Sequence, residues 1–207
     1  EGDNSPADVL VLVDAARLVK ASKLGLFRPS ISPTLQRLVP ANLRDPQGKW
    51  YALTRRARVP IVNPDIVDPS SIKSYADLAN PALKGKLCLR NRKSPYNQSL
   101  VADQIILRGE AATAKWIRGM ANNVTQEFFP KDTPQVQAVG KGKCGVAVVN
   151  TYYVGRMLAG RKGEANKALA EKVKVVFPNP THVNVRGAGA VSYTHLTLPT
   201  TGVGGGG

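Results

Sequence analysis

The chain is poor in the residues from which most metal sites and disulfide scaffolds are built. It has two cysteines and two histidines in 207 residues. That excludes a disulfide-dense scaffold and a Cys-rich zinc module, and it leaves little for a histidine-based metal site. Acidic residues are scarce too. Fourteen Asp and Glu stand against twenty-nine Lys and Arg, a formal charge of +15. Such an imbalance directs attention to nucleic acid, an anionic surface or an anionic ligand. No apolar run approaches the length of a membrane span. No zinc motif, phosphate loop, internal repeat or convincing catalytic dyad is visible, which makes an enzyme the weakest reading. What is present is ordinary globular material. Hydrophobic residues make up 43% of the chain, and the length allows one large domain or two small ones around a sizeable core.

The last seventeen residues differ from the rest. The segment VSYTHLTLPTTGVGGGG, from Val191 onward, has no Lys, Arg, Asp or Glu, so all 43 charged side chains lie in residues 1–190. One reading is a flexible Gly-rich tail. A sharper one is that Val191–Thr200 looks like the translation of a transposase adapter used in DNA library preparation. On that reading residues 191–207 are non-native, Tyr193 and His195 carry no function, and the natural chain continues beyond Ala190.

Strand-like and helix-like segments alternate along the remainder. Val9–Val13 is a continuous apolar run that predicts a strand buried on both faces. Asp14 caps a helix reaching about Leu24, with Gly25 as its stop. Residues 29–48 read as loop with short turns. Trp50–Val62 reads as extended chain carrying Arg55, Arg56 and Arg58, followed by a linker punctuated by Pro64 and Pro69. A short helix starts at Ser74 and ends at Pro81. A strand over Lys86–Arg90 precedes helices over 97–108 and 110–120. Pro134 suits a first helical turn after an Asp132 or Thr133 cap, and that helix ends at Gly140. Cys144–Val149, Val173–Phe177 and Val183–Val185 read as strands, and Thr151–Ala159 as a helix. The alternation predicts an α/β fold with a mostly parallel sheet and helices on its faces.

Three tyrosines stand at strand-to-helix junctions. Tyr152 and Tyr153 follow a strand in Asn150-Thr151-Tyr152-Tyr153, and Tyr96 lies in Ser94-Pro95-Tyr96-Asn97-Gln98-Ser99. In open α/β sheets ligands gather at the carboxyl ends of strands, and a helix N-terminus favours negative charge. A free phenol has a pKa of about 10, but a bound trivalent cation reverses that, and tyrosinate is a hard anionic oxygen. The plainer alternative is that the pair packs, one ring inward and one at the surface, while Tyr96 covers a helix start. Arg55, Arg56 and Arg58 offer an anion site or cations beside phenolates; the alternative is a solvated basic strand edge. Asp132-Thr133 reads as an N-cap or as a place for a polar ligand.

Seven pieces occur in order: Ser5-Pro6-Ala7-Asp8-Val9, Pro40-Ala41-Asn42-Leu43-Arg44-Asp45, Gly48-Lys49-Trp50, Arg56-Ala57-Arg58-Val59, Tyr96-Asn97-Gln98-Ser99-Leu100, Asn150-Thr151-Tyr152-Tyr153 and Thr181-His182-Val183-Asn184. Together, over about residues 1–190, they resemble the periplasmic ferric-iron-binding proteins of bacterial ABC importers, most of all the cyanobacterial type. The resemblance implies the type II periplasmic-binding-protein fold, two lobes around a cleft. It puts the family's tyrosine pair on Tyr152 and Tyr153, its further tyrosine ligand on Tyr96, and the arginine that supports the site or a synergistic anion on Arg56. A glutamate ligand used by some relatives falls on Val13, so that ligand is lacking. The family's first strand-to-helix turn, with its His and often Tyr ligand, would lie upstream of Glu1, and the end of the first lobe beyond Ala190. The implied division is 1–63 as remnant of lobe 1, 64–177 as lobe 2, and 178–190 as the return crossover.

The implied periplasmic location makes a Cys88–Cys144 disulfide a candidate, against two small buried thiols. The basic stretch Lys84, Lys86, Arg90, Arg92 and Lys93 has no interleaved aromatics before Tyr96, which argues against nucleic acid. The expected function is capture rather than catalysis. Fe3+, with carbonate or another anion, is held by phenolates of Tyr96, Tyr152 and Tyr153 in a monomer that docks on an inner-membrane permease. The alternative is a receptor of the same fold for a small anion or metabolite, with Arg56 carrying the ligand.

Overall fold

The structure is a computed structural model and describes residues 6–192. Residues 1–5 and 193–207, with Tyr193, His195 and most of the adapter-like tail, lie outside the described residues. The chain divides into two compact units, Glu1–Arg55 with Val185–Gly207, and Arg56–Asn184.

The first unit opens with β1 (Val9–Val13) and α1 (Ala15–Lys23). The Asp14 carboxylate accepts from the Ala16 amide at 3.2 Å and caps α1. Helical spacing turns Leu18 and Ala21 inward, where they meet Phe27, Trp50 and Val185. The strand β1 pairs antiparallel with β6 (Val183–Ala190), from Val9 opposite Ala190 to Val13 opposite Arg186. It lies at the end of the strand order. Only one of its faces is covered: Leu10 and Leu12 pack on the core, while Val9 and Val11 are 54% and 52% exposed. The expectation of burial on both faces is therefore wrong, because an apolar sequence says nothing about whether a second layer is there to cover it. A Cβ on Gly187 would stand 2.7 Å from the Tyr51 carbonyl oxygen and from Leu18 Cδ1; glycine lets β6 approach that closely. Val191 is fully buried and bridges Phe27, so the ordered chain runs past Ala190. Residues 29–48 hold a helix, α2 (Pro33–Leu38), where loop was expected. Ser32 accepts from the Leu35 amide and Pro33 takes the first turn, a start signal inside a Pro-rich stretch.

The second unit is built around β4 (Val146–Asn150), whose five residues are all buried. Its alternation feeds two cores. Ala147 and Val149 join Ile61, Val136, Val139 and Met157 on one face. Val146 and Val148 join Val62, Leu78, Leu87, Leu100 and Trp116 on the other. The strand β2 (Tyr51–Val62) begins in the first unit and pairs antiparallel with β4 from Arg58 opposite Asn150 to Val62 opposite Val146. It also pairs antiparallel with β5 (Lys174–Val175), and β3 (Leu87–Cys88) pairs parallel with β4. The helices are α3 (Pro95–Arg108), α4 (Glu110–Asn123), α5 (Asp132–Gly140), α6 (Thr151–Leu158) and α7 (Glu164–Glu171). A mostly parallel sheet is not what forms. Among the described ladders of named strands, β3–β4 alone is parallel. It is also the pair joined through crossover helices, α3 to α5, the connection that parallel pairing requires. The strand β2 arrives directly from the other unit and is free to run the opposite way. Two strands are shorter than read: Lys86–Arg90 contracts to Leu87–Cys88, and Val173–Phe177 to Lys174–Val175. Cys88 and Cys144 are joined by a disulfide across 56 residues, with Cα atoms 5.9 Å apart.

Candidate metal centre

Two helix starts in the second unit carry the tyrosines. Pro95 occupies the first turn of α3 after Ser94, and Tyr96 follows it. Asn150 ends β4 and Thr151 begins α6, so Tyr152 and Tyr153 fall in that first turn. First turns present backbone N–H groups with no helical partner, which favours negative charge nearby. The Tyr152 and Tyr96 hydroxyls lie 3.4 Å apart although 56 residues separate them. The rings of Tyr152 and Tyr153 stack with centroids 4.3 Å apart, and the Tyr153 ring packs on the core around β4 and α5. The structure thus brings all three tyrosines to one place.

Guanidinium groups surround them. Arg56 stands 5.1 Å over the Tyr96 ring, Arg90 5.3 Å and Arg58 5.8 Å, and Arg156 stands 5.0 Å over Tyr152. Burial pushes the Tyr96 phenol above its ordinary pKa; the hydrogen bond and charge of Tyr152 add to this, and Arg56 and Arg90 pull it back. Burial also pushes Tyr152 up, helped by its hydrogen bond with Tyr153. Both phenols, raised from an ordinary pKa of about 10, are thus neutral near pH 7.

Behind the tyrosines lies a buried ionic network. Asp132 is fully buried and Arg58 is 2% exposed. Asp132 Oδ2 accepts from Arg58 Nη1 at 3.0 Å and from the Asn150 amide at 3.0 Å, while Oδ1 accepts from Arg90 Nη1 at 3.1 Å. Burial lowers the Arg58 pKa, and the Asp132 carboxylate opposes that. Asp132 opens α5, with Lys131 in the cap position. Its carboxylate is spent on two arginines, the start of α6 and the Gln135 side chain, and on no backbone amide of α5. The reading of Asp132 as an N-cap is corrected accordingly, since a capping side chain would turn back to its own helix.

Among the three arginines of β2, Arg55 is exposed, Arg56 half-buried and Arg58 buried. Period-two alternation puts Arg56 and Arg58 on one face and Arg55 on the other, a signal the sequence offered. The burial of Arg58, the partners of Arg90 and the central place of Asp132 had no local signal. Nor did the node at His182, whose Nε2 lies 3.1 Å from Ser99 Oγ and whose Nδ1 lies 3.6 Å from Asp103. Among the described residues no group of three or more His, Cys, Asp or Glu comes together to hold a metal. A cavity of about 630 Å³ adjoins this network, walled by Leu100, Trp116 and Met120 on its apolar side and by Arg90, Asn97 and Gln98 on its polar side. None of the three tyrosines lines it, and its charged lining residues, Arg90, Arg92 and Lys93, are all cationic.

Comparison with known proteins identifies the family. The model of the family described as bacterial extracellular solute-binding protein matches residues 4–190. Iron uptake protein A1 of Synechocystis is 45% identical over 92% of this chain and 54% of its own length. The Fe(3+)-binding periplasmic protein of Serratia marcescens is 30% identical over 74% of this chain and 44% of its own length. The chain thus spans about half the length of the curated relatives it matches. Among solved structures, the Trichodesmium IdiA/FutA protein in complex with iron and citrate superposes with a TM-score of 0.87 at 39% identity, covering 94% of this chain and 63% of that one. The ferric binding protein of Campylobacter jejuni gives 0.88 at 33% identity over the same shares. The α/β fold is that of these periplasmic binding proteins, and the family is one of binding proteins rather than enzymes. The chain belongs to the bacterial extracellular solute-binding protein family.

Proposed function

We propose that this chain is part of the substrate-binding component of a ferric-iron ABC importer. Fe3+ is its cargo, and the oxygens of Tyr96, Tyr152 and Tyr153 are its ligands. The observation that carries the reading is the 3.4 Å approach of the Tyr96 and Tyr152 hydroxyls, each on the first turn of a different helix. Two oxygens about 2.1 Å from one octahedral cation lie about 3 Å apart at neighbouring positions. The pair is already near that spacing. Phenolates then suit a trivalent ion, because its own charge offsets the burial that raises the Tyr96 and Tyr152 phenols. The relatives' names support iron as cargo, and a citrate in one neighbour's complex supports an accompanying anion.

On this reading the protein acts as a monomer in the periplasm and hands iron to a membrane permease. Ligands must lose protons to bind, so affinity falls as pH falls. The test is ferric titration of the purified chain, followed by visible absorption. A tyrosinate-to-iron charge-transfer band is expected. The absence of both a band and a ferric-dependent thermal shift would refute the proposal. A second reading, a receptor for a small anion, draws on the guanidinium groups of Arg56, Arg58 and Arg90 around Tyr96. It predicts a thermal shift with carbonate or citrate alone, weakened in Arg56→Ala.

A further inference from the structure

Tyr96 and Tyr152 sit on first turns, where helices lack four backbone hydrogen bonds and fray most readily. Something must hold those two turns in register if the hydroxyls are to keep their spacing. A closed ring of hydrogen bonds links them. Asp132 Oδ2 takes the amide of Asn150, the residue just before α6, at 3.0 Å, and Arg58 Nη1 at 3.0 Å. Arg58 turns its other two nitrogens on Asn97 Oδ1, Nε at 3.2 Å and Nη2 at 2.6 Å. Asn97 is the neighbour of Tyr96. Its Nδ2 donates to the Arg90 carbonyl at 2.8 Å, and Arg90 Nη1 returns to Asp132 Oδ1 at 3.1 Å. The ring therefore runs Asp132, Arg58, Asn97, Arg90 and back to Asp132, touching the first turn of one helix and the residue just before the other.

We propose that this ring is the positioning device for the tyrosine oxygens, with Asp132 as its central positioning residue. The inference rests on the iron reading for its purpose, although the ring can be probed without iron. Three features favour positioning over mere stability. The carboxylate is fully buried, so its geometry is not averaged by solvent. Both of its oxygens are used, and one of them binds backbone next to a helix carrying a tyrosine. The guanidinium of Arg58 is planar and rigid, and its forked contact with Asn97 fixes direction as well as distance. Lysine would keep the charge opposite Asp132 and lose the fork.

Two readouts on the 207-residue chain test this. In the iron-free protein, ring-to-ring nuclear Overhauser contacts between Tyr96 and Tyr152 report the register. In the ferric protein, the charge-transfer band reports ligand geometry. Asp132→Asn is the obvious variant, but it leaves two guanidinium groups against a neutral amide and risks unfolding. Asn97→Ala and Arg58→Lys are milder, and circular dichroism checks their fold. The expected result is a folded variant in which the ring contacts fade, the band shifts and ferric binding weakens by roughly tenfold, the size of one charge-assisted hydrogen bond. Folded variants that keep wild-type ring contacts and an unmoved band would overturn the proposal. Wild-type chain with the ring contacts but no ferric band would instead refute iron binding and leave the ring standing on the iron-free comparison.

Discussion

Replacing Tyr152 with phenylalanine separates the metal chemistry from the fold more cleanly than any other single change. The substitution removes one oxygen and keeps the ring. Its stack on Tyr153 at 4.3 Å and the Arg156 guanidinium 5.0 Å above it both survive. What the fold loses is a hydroxyl contact of 3.4 Å with Tyr96, at the long limit of a hydrogen bond, together with the bonds to Tyr153 and Asn150. The cost to stability is therefore about 1–2 kcal/mol. Loss of a ligand is a different order of effect. Even partners that only orient a ligand are worth about 10–100-fold in metal affinity, so losing the ligand itself costs roughly 100-fold or more, about 2.7 kcal/mol. The iron-free protein adds an independent check. The hydrogen bond and charge of Tyr152 both raise the Tyr96 pKa, so removing them lowers it. The assays are chemical denaturation, ferric titration against a competing chelator, and ultraviolet titration of the phenols. An unchanged ferric affinity with an unchanged visible band would refute Tyr152 as a ligand. A stability loss well above ~2 kcal/mol would refute the claim that its hydroxyl is dispensable to the fold.

Further expectations concern stability. Reducing the Cys88–Cys144 disulfide, which closes 56 residues, lowers the denaturation free energy by about 4 kcal/mol on the chain-entropy argument, checked by denaturant melts with and without reductant. Gly187→Ala drives a Cβ to 2.7 Å from the Tyr51 carbonyl oxygen and Leu18 Cδ1, and costs about 1–3 kcal/mol; wild-type stability in that variant would contradict the packing of β6. Tyr75 supplies a pH dependence. Burial raises its phenol from 10.0 to about 12, while the hydroxyl donates to the Arg58 carbonyl and accepts from the His182 amide. A raised folded-state pKa stabilises fully below pH 10.0 and is lost as pH climbs to about 12, a contribution of roughly 3 kcal/mol. Alkaline unfolding should start in that window in the wild type. Tyr75→Phe should flatten this part of the profile, and an unaltered profile would count against the assignment.

Much of the local structure was legible because its causes are local. Asp14 with Gly25 bounded α1, Gly109 stopped α3, whose start was read two residues late at Asn97, and the buried run before Asn150 marked β4. Each signal is a cap, a stop or a short-range pattern of apolar residues. Strand direction was not legible. Alternating strands and helices suggest parallel pairing, but β2 passes straight from one unit to the other and pairs antiparallel with β4. Coverage was not legible either. The VLVLV of β1 and the VAVV of β4 look alike as sequence, yet one is half-exposed and the other buried on both faces.

The same division runs through the candidate site. Sequence alone singled out Tyr96, Tyr152 and Tyr153, because each stands at a strand-to-helix junction, while the choice of Arg56 among Arg55, Arg56 and Arg58 came only with the family resemblance. Sequence could not tell that Arg58, two positions on, is the guanidinium sealed in the interior. Nor could it tell that Asp132 would turn from its own helix to hold α6 and two arginines. Those facts concern distances between segments far apart in the chain. Helix caps and periodicity act over a few residues, so they can be read from order alone. A buried carboxylate finds its partners only after the layers have packed, when the cost of stranding a charge away from water selects the arrangement in which every oxygen is met.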